Sequence, residues 1–316
     1  MHIDHNYKCK KSKKNRKVTK IEQLYFTSAR PCDIIVKDEK SKDGYDGEML
    51  SNLHTHTTFC DGKSTAEETV ISAINKGFSS LGFSGHGYTS FELTSCMKDE
   101  AGYIKEINRL KREYSDRIEI YLGTEEDAFA PVERSKYEYI IGSSHFLKLN
   151  GEILPIDLKP ESMQDCLRAF KGDTQAISES YYSTFADYLL WRRPDVVGHF
   201  DLLTKYDEMG ESHFLGNPAH DRIAERFIEK VAREGMLFEV NTGAIARGYR
   251  TSPYPSMNLL RKIKDSGAPI TLTSDCHNAD FLDCHFKETM SMLYDIGFRE
   301  TVFLCNQKFT KMPLTP

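Results

Sequence analysis

The sequence predicts an α/β fold built as a (β/α) barrel, and two observations carry that reading. From residue 50 onward, short apolar runs alternate with amphipathic helical segments, the pattern of a parallel sheet with helices outside it. Nearly every apolar run also ends, on its C-terminal side, in a histidine, carboxylate or amide. In an open doubly wound sheet only the switch point converges on a ligand. Contributions from all strand ends converge only if the sheet closes, and the functional face of a barrel is the C-terminal one.

The elements follow in order. "MLSNLHTH" opens the series and precedes a helix with Val70, Ile71 and Ile74 on one face. "SSLGFSGH" precedes a helix with Ile104, Ile107, Leu110 and Tyr114 at helical spacing. "RIEIYLG" and "YEYIIGSSH" come next, joined by a short link. "PDVVGHF" leads into a helix carrying Ile223, Phe227, Ile228 and Val231; "GMLFEVNTG" and "APITLTSDCH" follow, the latter running into a helix near residues 279–296. That makes seven strand candidates, with "TVFLC" a weaker eighth. Residues 150–180 and 200–218 read as long loops over the mouth.

Composition bounds the rest. The 316 residues, 39% hydrophobic and 11% aromatic, suffice for a sizeable core. A net charge of −5 leaves no electrostatic footprint for nucleic acid, and no apolar run is long enough to span a membrane. The N-terminus lacks the apolar segment of a signal peptide, and the eight cysteines form no CxxC pair, which suits reduced thiols in the cytoplasm. Residues 8–20 hold eight Lys/Arg and no acid. Residues 1–48 are therefore expected to be a basic, poorly ordered extension, with Met49 compatible with a second start, and residues 49–316 to be the barrel domain.

Strand side chains alternate faces, so the pairs His54/His56 and Asp275/His277 each present two groups to one point. His86, His145 and His199 each follow a small or glycine-rich run that lets backbone approach a crowded centre, and Glu125 sits in "LGTEED". Asp61, in "CDGKS", completes the set, although a turn would also explain it. Burying so many titratable groups together costs many kcal/mol unless cations compensate them. Imidazoles with carboxylates and no thiolate suit Zn, Mn or Fe, and nine ligands suit three divalent ions better than one or two. The roughly +6 of such ions against −3 from Asp61, Glu125 and Asp275 leaves about +3, matched to an anionic substrate such as a phosphate monoester. Water bridging metal ions becomes a nucleophile near neutral pH.

The ordered pattern of "HTHTTFCD", "SGHG", "GTEED", "GSSH", "VGHFD" and "SDCH" resembles that of the PHP (polymerase and histidinol phosphatase) superfamily over roughly residues 50–305. The resemblance implies a distorted (β/α)7 TIM-like barrel with a trinuclear metal centre. It implies that His54, His56, Glu125 and Asp275 form one site, Asp61, His86 and His277 a second, and Glu125, His145 and His199 a third, with Glu125 bridging. The segments "FEVNTGAIARGYRTSPYPS" and "VVGHFDLLTKYD" are most similar to the histidinol-phosphate phosphatases of that superfamily. Arg247 stands one place from the position of their phosphate-binding arginine; Arg250 competes for the role, and Lys205 is a third candidate. Glu125, Asp275 and His277 are the expected catalytic residues. Asp201 either orients His199 or serves as the acid for the leaving group, and Asp127 is a hydrogen-bonded loop carboxylate or orients a ligand. His213, His220 and His285 are expected at the surface, and Cys276 on the face away from the ligands.

The function expected is a metal-dependent phosphomonoesterase hydrolysing L-histidinol phosphate in histidine biosynthesis, by attack of a metal-bridging hydroxide. A phosphoesterase for nucleotides is the alternative among hydrolases, and a non-catalytic metal-binding module the alternative of another class. The partners implied are a small phosphorylated substrate, no nucleic acid and no membrane; an assembly of identical copies is compatible with the sequence.

Overall fold

In the computed structural model, which describes residues 50–315, seven strands run parallel in the order β1-β2-β3-β4-β7-β8-β9. They are β1 (Leu50–Asn52), β2 (Phe78–Phe83), β3 (Glu119–Asp127), β4 (Tyr139–Ser143), β7 (Val196–Val197), β8 (Leu237–Asn241) and β9 (Ile270–Thr273). The two edges meet at the C-terminal end: His56 N donates to the Cys276 carbonyl at 2.8 Å and Cys276 N to the His54 carbonyl at 3.0 Å. This parallel bridge between Thr55 and Cys276 closes a distorted (β/α)7 barrel. β3 supplies the stagger that closure needs. Its first half pairs β2 (Ser80–Phe83 with Glu119–Leu122) and its second half pairs β4 (Gly123–Asp127 with Tyr139–Ser143). Gly123 sits at the changeover, where a Cβ would stand 2.3 Å from the Tyr139 ring; that ring crosses the barrel to donate to the Leu53 carbonyl at 2.5 Å.

The helices form where the sequence supplies caps as well as apolar faces. α1 (Ala66–Asn75) begins in a capping box of Thr65 and Glu68, α2 (Glu100–Glu113) is capped by Asp99, and α5 (Pro218–Ala232) by Asn217 with Pro218 in its first turn. Val70, Ile107, Leu110, Phe227, Ile228 and Val231 are buried as their spacing predicts, but Ile71 is 44% exposed, because α1 buries Thr69, Val70 and Ala73 instead.

Three expectations change. Residues 150–180 are not a loop: they complete a hairpin of β5 (Phe146–Leu149) and β6 (Glu152–Pro155), form α3 (Pro160–Ala169), and start the 19-residue α4 (Thr174–Arg192). "TVFLC" is a strand, β10 (Glu300–Cys305), but it pairs antiparallel with β11 (Lys308–Pro313) outside the seven-stranded sheet. Its Val302 and Leu304 join Leu53, Tyr121, Ile141, Val196 and Leu237 in the core. The turn of that hairpin meets the start of β3, where Asn306 N donates to Glu119 and Gln307 N to the Tyr121 hydroxyl. His220 is the third: it is buried in α5, its Nδ1 3.0 Å from Ser178 Oγ and its Nε2 3.1 Å from Tyr182 Oη. The remaining helices are α6 (Gly243–Ala246), α7 (Met257–Asp265) and α8 (Phe286–Ile296). The basic stretch at 8–20 and the boundary at residue 48 lie outside the described residues. Among those described, no helix is long and apolar enough to cross a membrane.

Candidate metal centre

The barrel mouth gathers all nine side chains of the ligand pattern, with Glu125 buried among them near the end of β3. Glu125 Oε2 lies 3.3 Å from His54 Nε2, 3.5 Å from His56 Nε2 and 2.9 Å from His86 Nδ1. Its Oε1 lies 3.3 Å from His145 Nε2 and 2.9 Å from His199 Nε2. Asp275 Oδ1 reaches His56 Nε2 at 3.2 Å and His54 Nε2 at 3.6 Å. Asp61, the most exposed member, lies 3.3 Å from His277 Nε2, 3.7 Å from His86 Nε2 and 3.6 Å from His56 Nδ1.

Three groups have ligand atoms mutually within 4.8 Å: His54, His56 and Glu125; His56, Asp61, His86 and His277; and His86, Glu125 and His145. They overlap the three groups implied by resemblance, with differences. Here His56 and His86 each belong to two groups, Asp275 stands slightly off the first, and His199 meets the third through Glu125 and the edge of the His145 ring.

The donor set fits cations. His54 Nε2, His56 Nε2, Glu125 Oε2 and His199 Nδ1 are buried and make no hydrogen bond, a costly arrangement unless another partner takes their lone pairs. Charge points the same way. Burial opposes a proton on His54, yet Glu239, Glu125 and Asp275 together lift it well above the ordinary imidazole range. Burial, with His277 and His86 beside it, pushes His56 down to about 3. Burial alone would raise the Glu125 carboxyl, but His54, His145 and His86 hold it well below its usual value. The carboxylates thus stay ionised and draw positive charge to His54, a charge that a metal ion supplies when it displaces the proton.

A cavity of about 210 Å³ opens over the cluster. Arg247 lines it from the turn after α6, donating from Nη1 to the Asp275 carbonyl at 3.0 Å and from Nη2 to Asp275 Oδ2 at 2.9 Å. Asp275 holds a left-handed backbone, φ 47°, against Gly243, where a Cβ would fall 2.9 Å from the Asp275 Cβ and 2.8 Å from the Ser274 carbonyl. Lys205 also lines the cavity, its ammonium 2.9 Å from Asp157 Oδ2 and 5.5 Å from the ring centroids of Tyr206 and Tyr249.

Arg250 does not reach the cavity. Its guanidinium is buried over the Tyr254 ring, hydrogen-bonded to Thr204 and Ser252 and 3.9 Å from Asp201. Nor does Asp201, which is fully buried and accepts from Ser256 N at 2.9 Å. The segment after β7 turns the Asp201 side chain, and the segment after α6 the Arg250 side chain, into protein and away from the cavity lining. Cys276 is buried, with its thiol pushed up to about 12, chiefly by burial.

Three carboxylates beside the cluster had no assigned place, or only an open one. Asp127 Oδ2 accepts from His145 N at 2.9 Å and faces His145 Nδ1 at 3.1 Å. Asp157 holds Lys205. Glu239, in the middle of β8, lies 2.5 Å from His54 Nδ1. The signal for Glu239 was available, since an acid inside the apolar run "LFEV" demands a buried partner.

A closed parallel barrel with imidazoles and carboxylates converging at its C-terminal mouth defines an enzyme of the metal-dependent hydrolase class. The chain belongs to the PHP domain family, which matches residues 52–243. It is 28% identical over 272 residues to a probable histidinol-phosphatase of Schizosaccharomyces pombe, covering 79% of this chain and 87% of that one. It is 27% identical over 255 residues to the histidinol-phosphatase of Bacillus subtilis, covering 72% and 92%. Its fold is similar to the crystal structure of histidinol phosphate phosphatase from Lactococcus lactis complexed with zinc, L-histidinol and phosphate, with TM-score 0.60, 19% identity, and coverage of 83% and 98%.

Proposed function

We infer that this protein is a metal-dependent phosphomonoesterase that hydrolyses L-histidinol phosphate to L-histidinol and phosphate, the chemistry of its histidinol-phosphatase relatives. The observation that carries the reading is the convergence of His54, His56, His86, His145, His199, His277, Asp61, Glu125 and Asp275 on one cluster, all but the deeply buried His54 and His56 lining the cavity above it, with buried ring nitrogens that lack hydrogen bonds. These nine residues would hold three divalent ions, with zinc, the metal in the Lactococcus structure, ahead of manganese or iron. Divalent ions there would supply concentrated positive charge and bring the pKa of water to near neutrality.

The chain's own residues do the rest. Arg247, braced on Asp275, offers its guanidinium to the phosphate from the cavity wall, and Lys205 offers a second cation. Asp275 turns Oδ1 toward His54 and His56 and Oδ2 toward Arg247, so one carboxylate couples the ion-binding and phosphate-binding halves. Of the expected catalytic residues, Glu125, Asp275 and His277 line the cavity. Asp201, fully buried outside the cavity lining, is not placed to hold a proton near the leaving oxygen. A biosynthetic enzyme of this kind works in the cytoplasm.

The test is to count bound metals in the purified protein and assay a panel of phosphomonoesters. Histidinol phosphate should exceed aryl phosphates and nucleotides in kcat/KM by roughly a hundredfold. Turnover no faster than that of generic esters would remove the substrate assignment. A His54→Ala variant that kept its metal and activity would remove the site assignment.

A further inference from the structure

Beneath the cluster, Glu239 is wholly buried and each of its oxygens has two partners. Oε2 accepts from His199 N at 2.7 Å and Asn241 Nδ2 at 3.1 Å. Oε1 meets Thr273 Oγ1 at 2.6 Å and His54 Nδ1 at 2.5 Å. The backbone amide can only donate. The Asn241 amide is fixed in the same sense, because its Oδ1 accepts from Gly243 N at 2.8 Å and so turns its NH2 toward Glu239. Ionised, as the two donors on Oε2 favour, Glu239 accepts on Oε1 as well, and the neutral His54 ring that binds a metal then carries its proton on Nδ1. Its lone pair sits on Nε2, the buried atom that makes no hydrogen bond, 3.3 Å from Glu125 Oε2.

We propose that Glu239 is a positioning residue that sets the tautomer of His54, holding the proton on Nδ1 so that Nε2 faces the metal centre, while its second oxygen pins the backbone of His199. The proposal rests on the metal-centre reading above and adds the device that makes one ligand competent. Ring-orienting carboxylates of this kind typically matter 10–100-fold in metal affinity.

The substitution Glu239→Gln tests it sharply. The new NH2 cannot occupy the Oε2 position, where two groups already donate, so it must take the Oε1 position and donate toward His54 Nδ1. That forces the His54 proton onto Nε2, the atom aimed at the ions. In the zinc-loaded wild-type chain, long-range nitrogen–proton correlation spectra of labelled histidine should show His54 protonated at Nδ1. The Glu239→Gln variant should lose that signature and bind its weakest zinc 10–100-fold less tightly in a chelator competition. The control Thr273→Val removes a donor from the same oxygen but keeps the carboxylate, and should keep both the signature and the affinity.

A Gln variant that binds zinc like the wild type with an unchanged His54 signature overturns the proposal, as does equal loss of zinc in the Gln and Val variants. If the Gln variant does not fold, the wild-type spectrum alone decides: a proton on Nε2 of zinc-loaded His54 overturns it, and a proton on Nδ1 supports it. A wild-type chain that binds no zinc overturns the metal-centre reading itself, which separates the two failures.

Discussion

His220 sits against Ser178 and Tyr182, away from the barrel mouth, and burial lowers its pKa from the usual 6.5 to about 4. Between those values the unfolded chain binds a proton that the native state refuses. Native stability therefore falls as pH drops from 6.5 to about 4, by about 3 kcal/mol from this residue, and is fully present above 6.5. Urea denaturation at pH 7 and pH 4.5 should show a smaller acid loss in a His220→Gln variant than in the wild type; equal losses would contradict the assignment. The two arginines after β8 separate along another axis. Arg250→Met leaves Asp201 buried without its cation and should cost about 3–5 kcal/mol of stability, read as a lower urea midpoint, with KM unchanged. Arg247→Ala removes a charge-assisted contact to the phosphate and should cut kcat/KM roughly 10–100-fold. Reversed outcomes would make Arg250 the phosphate ligand despite its burial.

At the scale of elements, the β10–β11 hairpin contributes to the core without belonging to the barrel sheet. Leu304 is 4% exposed among residues of five barrel strands or their ends, so Leu304→Ala should cost about 3 kcal/mol, in the range of large-to-small core substitutions. Chemical denaturation measures this directly, and a loss below about 1 kcal/mol would mean the hairpin packs only superficially. The elements legible in the sequence were those with one apolar face or a cap, as in α1, α2 and α5. α4 escaped because its buried face, Ile177, Tyr181, Tyr182, Phe185, Tyr188 and Leu189, is half tyrosine, while Trp191 puts a large apolar ring, 70% exposed, on the other side, so the hydrophobic contrast between its two faces is weak. α7 is only nine residues long and falls where short apolar runs are ambiguous.

For the molecule as a whole, the candidate ions tie together strand ends that are remote in sequence. Metal bound by the folded state alone adds stability, about 2.7 kcal/mol per site at a hundredfold excess over Kd. Chelation should therefore lower the melting temperature by several degrees, and zinc should restore it, in a thermal scan with and without chelator. A melting temperature indifferent to chelator would leave the cluster without its ions. The sequence by itself determined the alternation of strands and helices and the order of His, Glu and Asp at strand ends, because periodicity and residue chemistry are local properties. Only the tertiary structure decided which of those groups meet. Two backbone bonds between the His54–His56 and Cys276 segments close the sheet and set Glu125 among five imidazoles, while the turn after β7 withdraws Asp201 into protein. Glu239 belongs to the second category as well: its chemistry was visible as an acid in an apolar strand, but its partners come from β8, β9 and the ends of β1 and β7, and the contact with His54 depends on barrel closure.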